Sequence, residues 1–324
     1  PTAAALYYAN LRSPEQTVLV FDLGGGTLDV TLLSVQNRVV KVLATGGDAF
    51  LGGANFDERV VELLVDDFEQ KNGVRIRDNK VVMQRLVFGA ESAKIILSSK
   101  ESTRLRVPCI TQKDGQFVHF DYELTRKQFE GMVAPLIERS VGAVDEVLQR
   151  AGLKHNQVDE LVMVGGQTRM PAIRNRFHEF RRSTNEKDVH PDLGVAIGAA
   201  ILGRNLQRSA GTGLSDVVPM PIGVMAPGVG SVEVISANTP VPAARTISLD
   251  KLPPEGPVSM ALFESVDRTS VDRELLGTVS IPPEWRNANR GPASLELRMG
   301  QDFVLSAAVV SEKGARLVLP IANR

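Results

Sequence analysis

The chain has 324 residues, with 37 Lys and Arg against 38 Asp and Glu, and a formal net charge of −1. That balance lacks the basic footprint of nucleic-acid binders. A content of 43% hydrophobic and 23% charged residues excludes a disordered chain and, at about 150 residues per domain, predicts two domains with separate cores.

In chain order, Val18-Leu19-Val20-Phe21 is an apolar run that ends at Asp22 and the glycines Gly24, Gly25 and Gly26. Thr27 to Leu33 then reads as a second strand, which makes the pair a hairpin with a glycine turn. Three amphipathic helices are expected: over 55–71 from Phe56, Val60, Leu64 and Phe68; over 81–99 from Met83, Leu86, Ala90, Ala93 and Leu97; and over 125–151 from Phe129, Met132, Leu136 and Val144, with Thr125 as N-cap. Between the last two lies a β-like stretch, Arg104 to Tyr122, turning at Lys113-Asp114-Gly115. Leu161 to Val164 reads as a buried strand closed by Gly165-Gly166, and a helix restarts at Met170-Pro171. A last helix runs from Leu193 to Asn205. Residues 208–324 hold 12 of the 18 prolines, which predicts a linker at 208–215 and then a β domain of short strands and turns.

No apolar run approaches the roughly 18 residues of a membrane span. Pro1 to Asn10 lack the basic start and apolar core of a signal peptide. The single cysteine, Cys109, cannot form an internal disulfide and reads as a small buried hydrophobe within its β-like run. The expected location is the cytoplasm, with no nucleic-acid or membrane partner. His119, His155, His178 and His190 show no zinc-site spacing, and no serine sits in a G-x-S-x-G elbow.

Three segments can carry chemistry. In Phe21 to Asp29, three successive glycines offer backbone N–H groups to phosphate oxygens, Thr27 adds a hydroxyl, and Asp22 can hold a magnesium ion through its waters. No Gly-Lys-Ser/Thr follows, so this is not a Walker loop; the plain alternative is a glycine turn with a capping aspartate. In Leu161 to Pro171, a strand, a Gly-Gly turn and a helix start suit an anion or nucleotide, and Arg169 can stack on a base. In Gly89 to Ser99, Glu91, Lys94 and Ser98 share one helix face and can grip a ribose and an adenine edge; a solvated face is the alternative.

Together and in this order, these motifs resemble the DnaK-type chaperones, the seventy-kilodalton heat-shock proteins. The matching text is Pro1 to Leu6, Asp22 to Asp29, Leu51-Gly52-Gly53 with Phe56-Asp57, Ala90-Glu91 through Ser98-Ser99, Val164 to Pro171, and Pro191-Asp192 through Ala200. It covers residues 1–207 almost continuously. The resemblance implies an α/β actin-like ATPase domain over 1–207, partial and mainly its second lobe, a linker over 208–215, and an all-β sandwich-type peptide-binding domain over 216–324. It implies ATP or ADP with Mg2+ as cofactors. By the same match Gly24, Gly25, Gly26, Thr27, Gly53, Glu91, Lys94, Ser98, Gly165, Gly166, Arg169 and Asp192 contact nucleotide. Asp22 holds the metal through water, and Asp22, Thr27 and Asp29 support catalysis. Val224, Leu249, Val258 and Met260 are implied to line an apolar peptide cleft, with plain core packing as the alternative. The implied partners are unfolded or extended apolar polypeptides, a J-domain co-chaperone and a nucleotide exchange factor.

The same pattern predicts departures. Pro1 stands one residue after the family's catalytic glutamate, so the first phosphate loop and catalytic lysine are expected outside this sequence, and no catalytic set is complete within it. The hairpin at 17–33 is then expected to lack neighbours and expose an edge. The linker Thr212-Gly213-Leu214-Ser215 carries one leucine, which predicts weak coupling between the domains. Lys41 stands where an acidic residue usually faces the J-domain, Pro227 replaces a bulky arch residue, and no helical lid is expected before Arg324. The expected function is ATP-dependent binding and release of unfolded polypeptides; a peptide-binding holdase without a nucleotide cycle is the alternative.

Overall fold

The computed structural model describes residues 1–11, 15–36, 39–178, 193–207, 214–226, 228, 230–249, 258–265 and 273–322. The chain divides into two compact units, one of residues 1–40 and 44–213, the other of 41–43 and 214–324.

The first unit begins with helix α1 (Thr2–Leu11), followed by β1 (Gln16–Leu23), β2 (Leu28–Gln36) and β3 (Val39–Asp48). Then come α2 (Gly53–Asn72), α3 (Lys80–Leu97), the ribbon β4 (Ser102–Lys113) and β5 (Gln116–Thr125), α4 (Arg126–Arg150), β6 (Glu160–Val164), α5 (Pro171–Arg176) and α6 (Gly194–Gln207). Strands β1 and β2 form the expected antiparallel hairpin, with Asp22 opposite Asp29. The hairpin does not lack neighbours. It lies inside a sheet in which β6, β1, β2 and β3 are neighbours in that order; β7, the two-residue strand Leu214–Ser215, belongs to the second unit. Its partners come from later in this same chain, β6 running parallel to β1 with Asp22 beside Val164. That environment explains the continuous apolar run: Val18 to Phe21 are fully buried, as strands covered on both faces must be.

Local chemistry sets the helix ends. Thr125 forms a capping box with Gln128, Asn79 accepts from the amides of Val81 and Val82 at the start of α3, and Gly73 ends α2 in the left-handed conformation at φ 65°. The stripe Phe56, Val60, Leu64 and Phe68 is fully buried, and each such side chain contributes about 1.5–3 kcal/mol. Cys109 departs from expectation. It is exposed, at φ 49°, where the β4–β5 register shifts between Val107 and Thr111, and its N–H donates to His119 Nδ1 at 3.1 Å. A bulge turns the residue out of the alternation that would have buried it. Lys41 is exposed on β3.

The second unit holds β8 (Ile222–Ala226), β9 (Gly230–Ile235), β10 (Ala243–Ser248), β11 (Val258–Ser265), β12 (Arg273–Ile281), the six-residue helix α7 (Pro283–Ala288), β13 (Ala293–Met299), β14 (Leu305–Ser311) and β15 (Arg316–Leu319). Two four-stranded antiparallel sheets, ordered β12-β11-β8-β9 and β10-β13-β14-β15, share one apolar cluster. Val224, Leu249, Val258 and Met260 all belong to it, at 0, 4, 1 and 1% exposure. Along β8 the residues Ile222, Val224 and Ala226 alternate inward, as do Val258, Met260 and Leu262 along β11. In this conformation the four offer a ligand no surface, so the core reading describes them. Pro227 and residues 212–213 lie outside the described residues.

Candidate functional site

The parallel pairing of β1 and β6 brings two turns to one sheet end, the glycine loop 24–27 after β1 and Gly165-Gly166 after β6. Within the loop, the Gly24 N–H donates to the Thr27 carbonyl at 3.0 Å. The loop's carbonyls are taken by the start of α2: Gly53 N–H donates to Gly24 O at 2.9 Å and Ala54 N–H to Gly25 O at 2.8 Å. Gly25, Gly26 and Thr27 are exposed, and a Cβ added at Gly25 or Gly26 would meet nothing within 4 Å. The loop thus spends its carbonyls on the protein and leaves open space on its other side.

Close approach fixes the surrounding glycines. A Cβ on Gly52 would lie 2.4–2.5 Å from the Gly26 backbone. Gly165 sits at φ 85°, and its Cβ would lie 2.3 Å from Leu23 O and 2.7 Å from Asp22 Oδ1, so the β6 turn passes directly against the Asp22 carboxylate. Asp22 is half-buried. Burial pushes its carboxyl above the usual carboxylate range, and the facing Asp29 adds to the rise. Thr27 Oγ1 lies 3.4 Å from Asp29 Oδ2.

The third motif enters from α3. Lys94 is 9% exposed; its ammonium donates to Asp57 Oδ2 at 2.9 Å and to Gly53 O at 3.0 Å. A Cβ at Gly53 would lie 2.9 Å from Lys94 Nζ and 3.1 Å from Gln167 Oε1, so the two glycine turns and α3 meet around this one residue. Glu91, exposed on α3, sits near enough to raise the Asp57 carboxyl further, after burial and against the pull of Lys94. Ser98 is at the C-cap of α3, with its hydroxyl donating to Lys94 O at 3.3 Å. Arg169 is exposed at the end of the short 3₁₀ turn Gly166–Arg169, and Thr168 folds that turn back by donating to Gly165 O at 2.6 Å. Ser98 makes its printed contact within α3 rather than to the glycine loop, and Asp192 lies outside the described residues.

Sequence reasoning assigned no role to Gly52, Asp57 or Gln167. Asp57 had a signal: it is a carboxylate on the otherwise apolar stripe of α2 with Val60, Val61 and Leu64.

These residues fit a magnesium–nucleotide. A divalent cation held through water would relieve the clustered charge of Asp22 and Asp29, and the open faces of Gly25 and Gly26 leave a cradle for phosphate that side chains would fill. The family model for Hsp70 protein matches residues 1–299. This chain belongs to the Hsp70 family. It is 36% identical over 288 residues to the chaperone protein DnaK of Halobacterium salinarum, in each of two strains, an alignment covering 87% of this chain and 46% of the DnaK chain. The Hsp70 chain described here therefore spans about half the length of the curated relatives it matches. Membership establishes the resemblance read from the glycine loop, the α3 block and the 164–171 block. Among the described residues no helix is long and apolar enough to cross a membrane.

Proposed function

We propose that this chain is the second nucleotide-binding lobe and the client-binding β unit of a DnaK-type chaperone, built on an actin-like ATPase fold and a β-sandwich. The observation that carries the reading is the convergence of Asp22, the 24–27 loop, the start of α2 and the Gly165 turn at one end of a sheet. In this reading Mg2+ supplies charge neutralisation to the phosphates. Asp22 orients the metal's water shell, the N–H groups of Gly25 and Gly26 with the Thr27 hydroxyl orient phosphate oxygens, and Gly165 keeps that end of the sheet clear of side chains. Glu91, Ser98 and Arg169 form the sugar and base side. The function is ATP-dependent binding and release of unfolded polypeptides, with a J-domain co-chaperone and an exchange factor as partners, in the cytoplasm.

Calorimetric titration of Mg-ADP and Mg-ATP into the chain, beside Asp22→Asn, tests the nucleotide reading. Saturable binding at one site is expected, weakened roughly tenfold by loss of one charge-assisted contact worth about 1.4 kcal/mol or more. The nucleotide-free proteins should show the opposite order. The folded-state pKa of Asp22 is raised, so its ionised form opposes folding above that pKa, and Asp22→Asn should raise the urea midpoint at pH 7. A wild-type chain that takes up no nucleotide overturns the reading.

A further inference from the structure

We propose that the seam between α3 and β4 binds a small carboxylate with an apolar body, independently of the nucleotide-binding end of the sheet. A cleft of about 380 Å³ opens there, a volume within the range of small-molecule sites. Phe88, Gly89, Ala93 and Ile96 of α3 form one wall, and Leu105 and Val107 of β4 the other. Their spacing along α3 places the four on one helix face. Leu105 and Val107 alternate with the exposed Arg104 and Arg106, so they point toward α3. Phe88 is 61% exposed, a large aromatic ring left in solvent at the rim of the cleft. Position 89 is glycine inside an 18-residue helix, where alanine is the better helix former. A Cβ there would meet only Leu105 Cδ2, at an ordinary 3.5 Å, so packing does not require the glycine. Its effect is to keep the floor of the cleft open.

Charge decides the class of ligand. The charged residues along the cleft are Arg85, Arg104 and Arg106, and no carboxylate lines it. Arg104 and Arg106 are answered from β5, by Asp121 at 2.5 and 3.3 Å and by Glu123 across the ribbon from Arg104. Arg85 is not answered. It donates to two backbone carbonyls, Pro108 O at 2.5 Å and Cys109 O at 3.3 Å, and among the described residues it forms no ion pair. Those bonds pin the guanidinium at one end of the seam without neutralising it, and leave donors for a carboxylate. With its carboxylate on Arg85, a ligand lays its apolar body over Gly89 toward Ile96 and covers the Phe88 ring. Ser92 and Thr103 add hydroxyls along the way. A neutral apolar ligand would leave Arg85 unpaired, and an amine would meet a like charge.

The test titrates the full chain with octanoate and with octylammonium, probes of equal chain length and opposite charge, in the absence of nucleotide. Methyl NMR spectra of Ile96, Leu105 and Val107 report binding at the seam. Octanoate should shift these methyls saturably, with a Kd on the order of 1 mM or tighter for so small a ligand. Octylammonium should bind at least about tenfold more weakly, the loss of one charge-assisted contact. Gly89→Leu fills the floor with a stronger helix former and should abolish the octanoate shifts. Arg85→Gln should bring octanoate down to the level of octylammonium. Wild-type methyls that do not shift overturn the proposal, as does octylammonium binding as tightly as octanoate. Shifts that survive in Gly89→Leu, or that spread equally over methyls of both units as a detergent would cause, overturn it as well. Should Gly89→Leu disturb the free protein's spectrum across α3, Phe88→Ala replaces it, and octanoate affinity unchanged in that variant counts against the site.

Discussion

Replacing Gly52 by alanine should unseat the hairpin although the backbone there suits any residue. Gly52 is extended, at φ −159° and ψ −177°, so the requirement for glycine is spatial. The new methyl would sit 2.4–2.5 Å from N, Cα and C of Gly26, and no side-chain rotation relieves contact with backbone. Either α2 or the loop must move, at a cost of about 1–3 kcal/mol for overpacking. Moving apart also strains the bonds from Gly53 N–H and Ala54 N–H to Gly24 O and Gly25 O, each worth about 1 kcal/mol net. The total of about 3–5 kcal/mol corresponds to a fall of about 6–20 °C in the melting temperature of a unit in the 150–250-residue class. Differential scanning calorimetry reads this, with Gly131→Ala as control. Gly131 is exposed in α4 with nothing within 4 Å of its Cβ position, so alanine there should stabilise by about 0.5–1 kcal/mol. A Gly52→Ala protein that melts within about 1 °C of wild type and binds ADP equally well would refute the close-approach argument.

The β unit supplies two further predictions. Glu296 is held down to about 2 by hydrogen bonds from Arg298 and Arg316. Its folded-state pKa lies below the ordinary value, so the stability it lends is present above about pH 4.5 and is lost as pH falls toward about 2. Glu296→Gln should flatten the acid limb of urea midpoints between those values, and an unchanged limb would refute the assignment. Met260, 1% exposed in the shared apolar cluster, should cost about 2–5 kcal/mol when replaced by alanine, read by urea unfolding. A Met260→Ala protein of normal stability that fails to bind an extended apolar peptide would restore the residue to a cleft.

How much of this was legible depended on how local the cause was. The α2 stripe Phe56, Val60, Leu64 and Phe68, the Thr125 cap and the glycine turn each have their cause within a few residues, and each formed as read. Helix α1 was not read, because Thr2-Ala3-Ala4-Ala5-Leu6 is apolar nearly all round and carries no face. Cys109 misled because a bulge breaks the alternation on which the burial expectation stood. The exposed edge expected of the hairpin failed because its parallel partner is distant in sequence, and distance also hid the use of Lys94. Its i,i+3 neighbour Glu91 was visible, whereas its actual counter-ion, Asp57, is on another helix.

The pairing of β1 with β6 also sets a timetable for synthesis. Asp22 and Val164 are neighbours in register but 142 positions apart. The hairpin can close as soon as Gln36 has left the ribosome, since its contacts are local. At about 5–20 residues per second, the strand that brings Gly165 against Asp22 follows roughly 6–26 s later. Through that interval the nascent hairpin presents a bare strand edge along Val18 to Asp22 and lacks the Gly165 turn that packs against Asp22. The architecture therefore completes the Asp22 end of the sheet late, and it leaves the β1 edge in need of shelter while the chain is still growing.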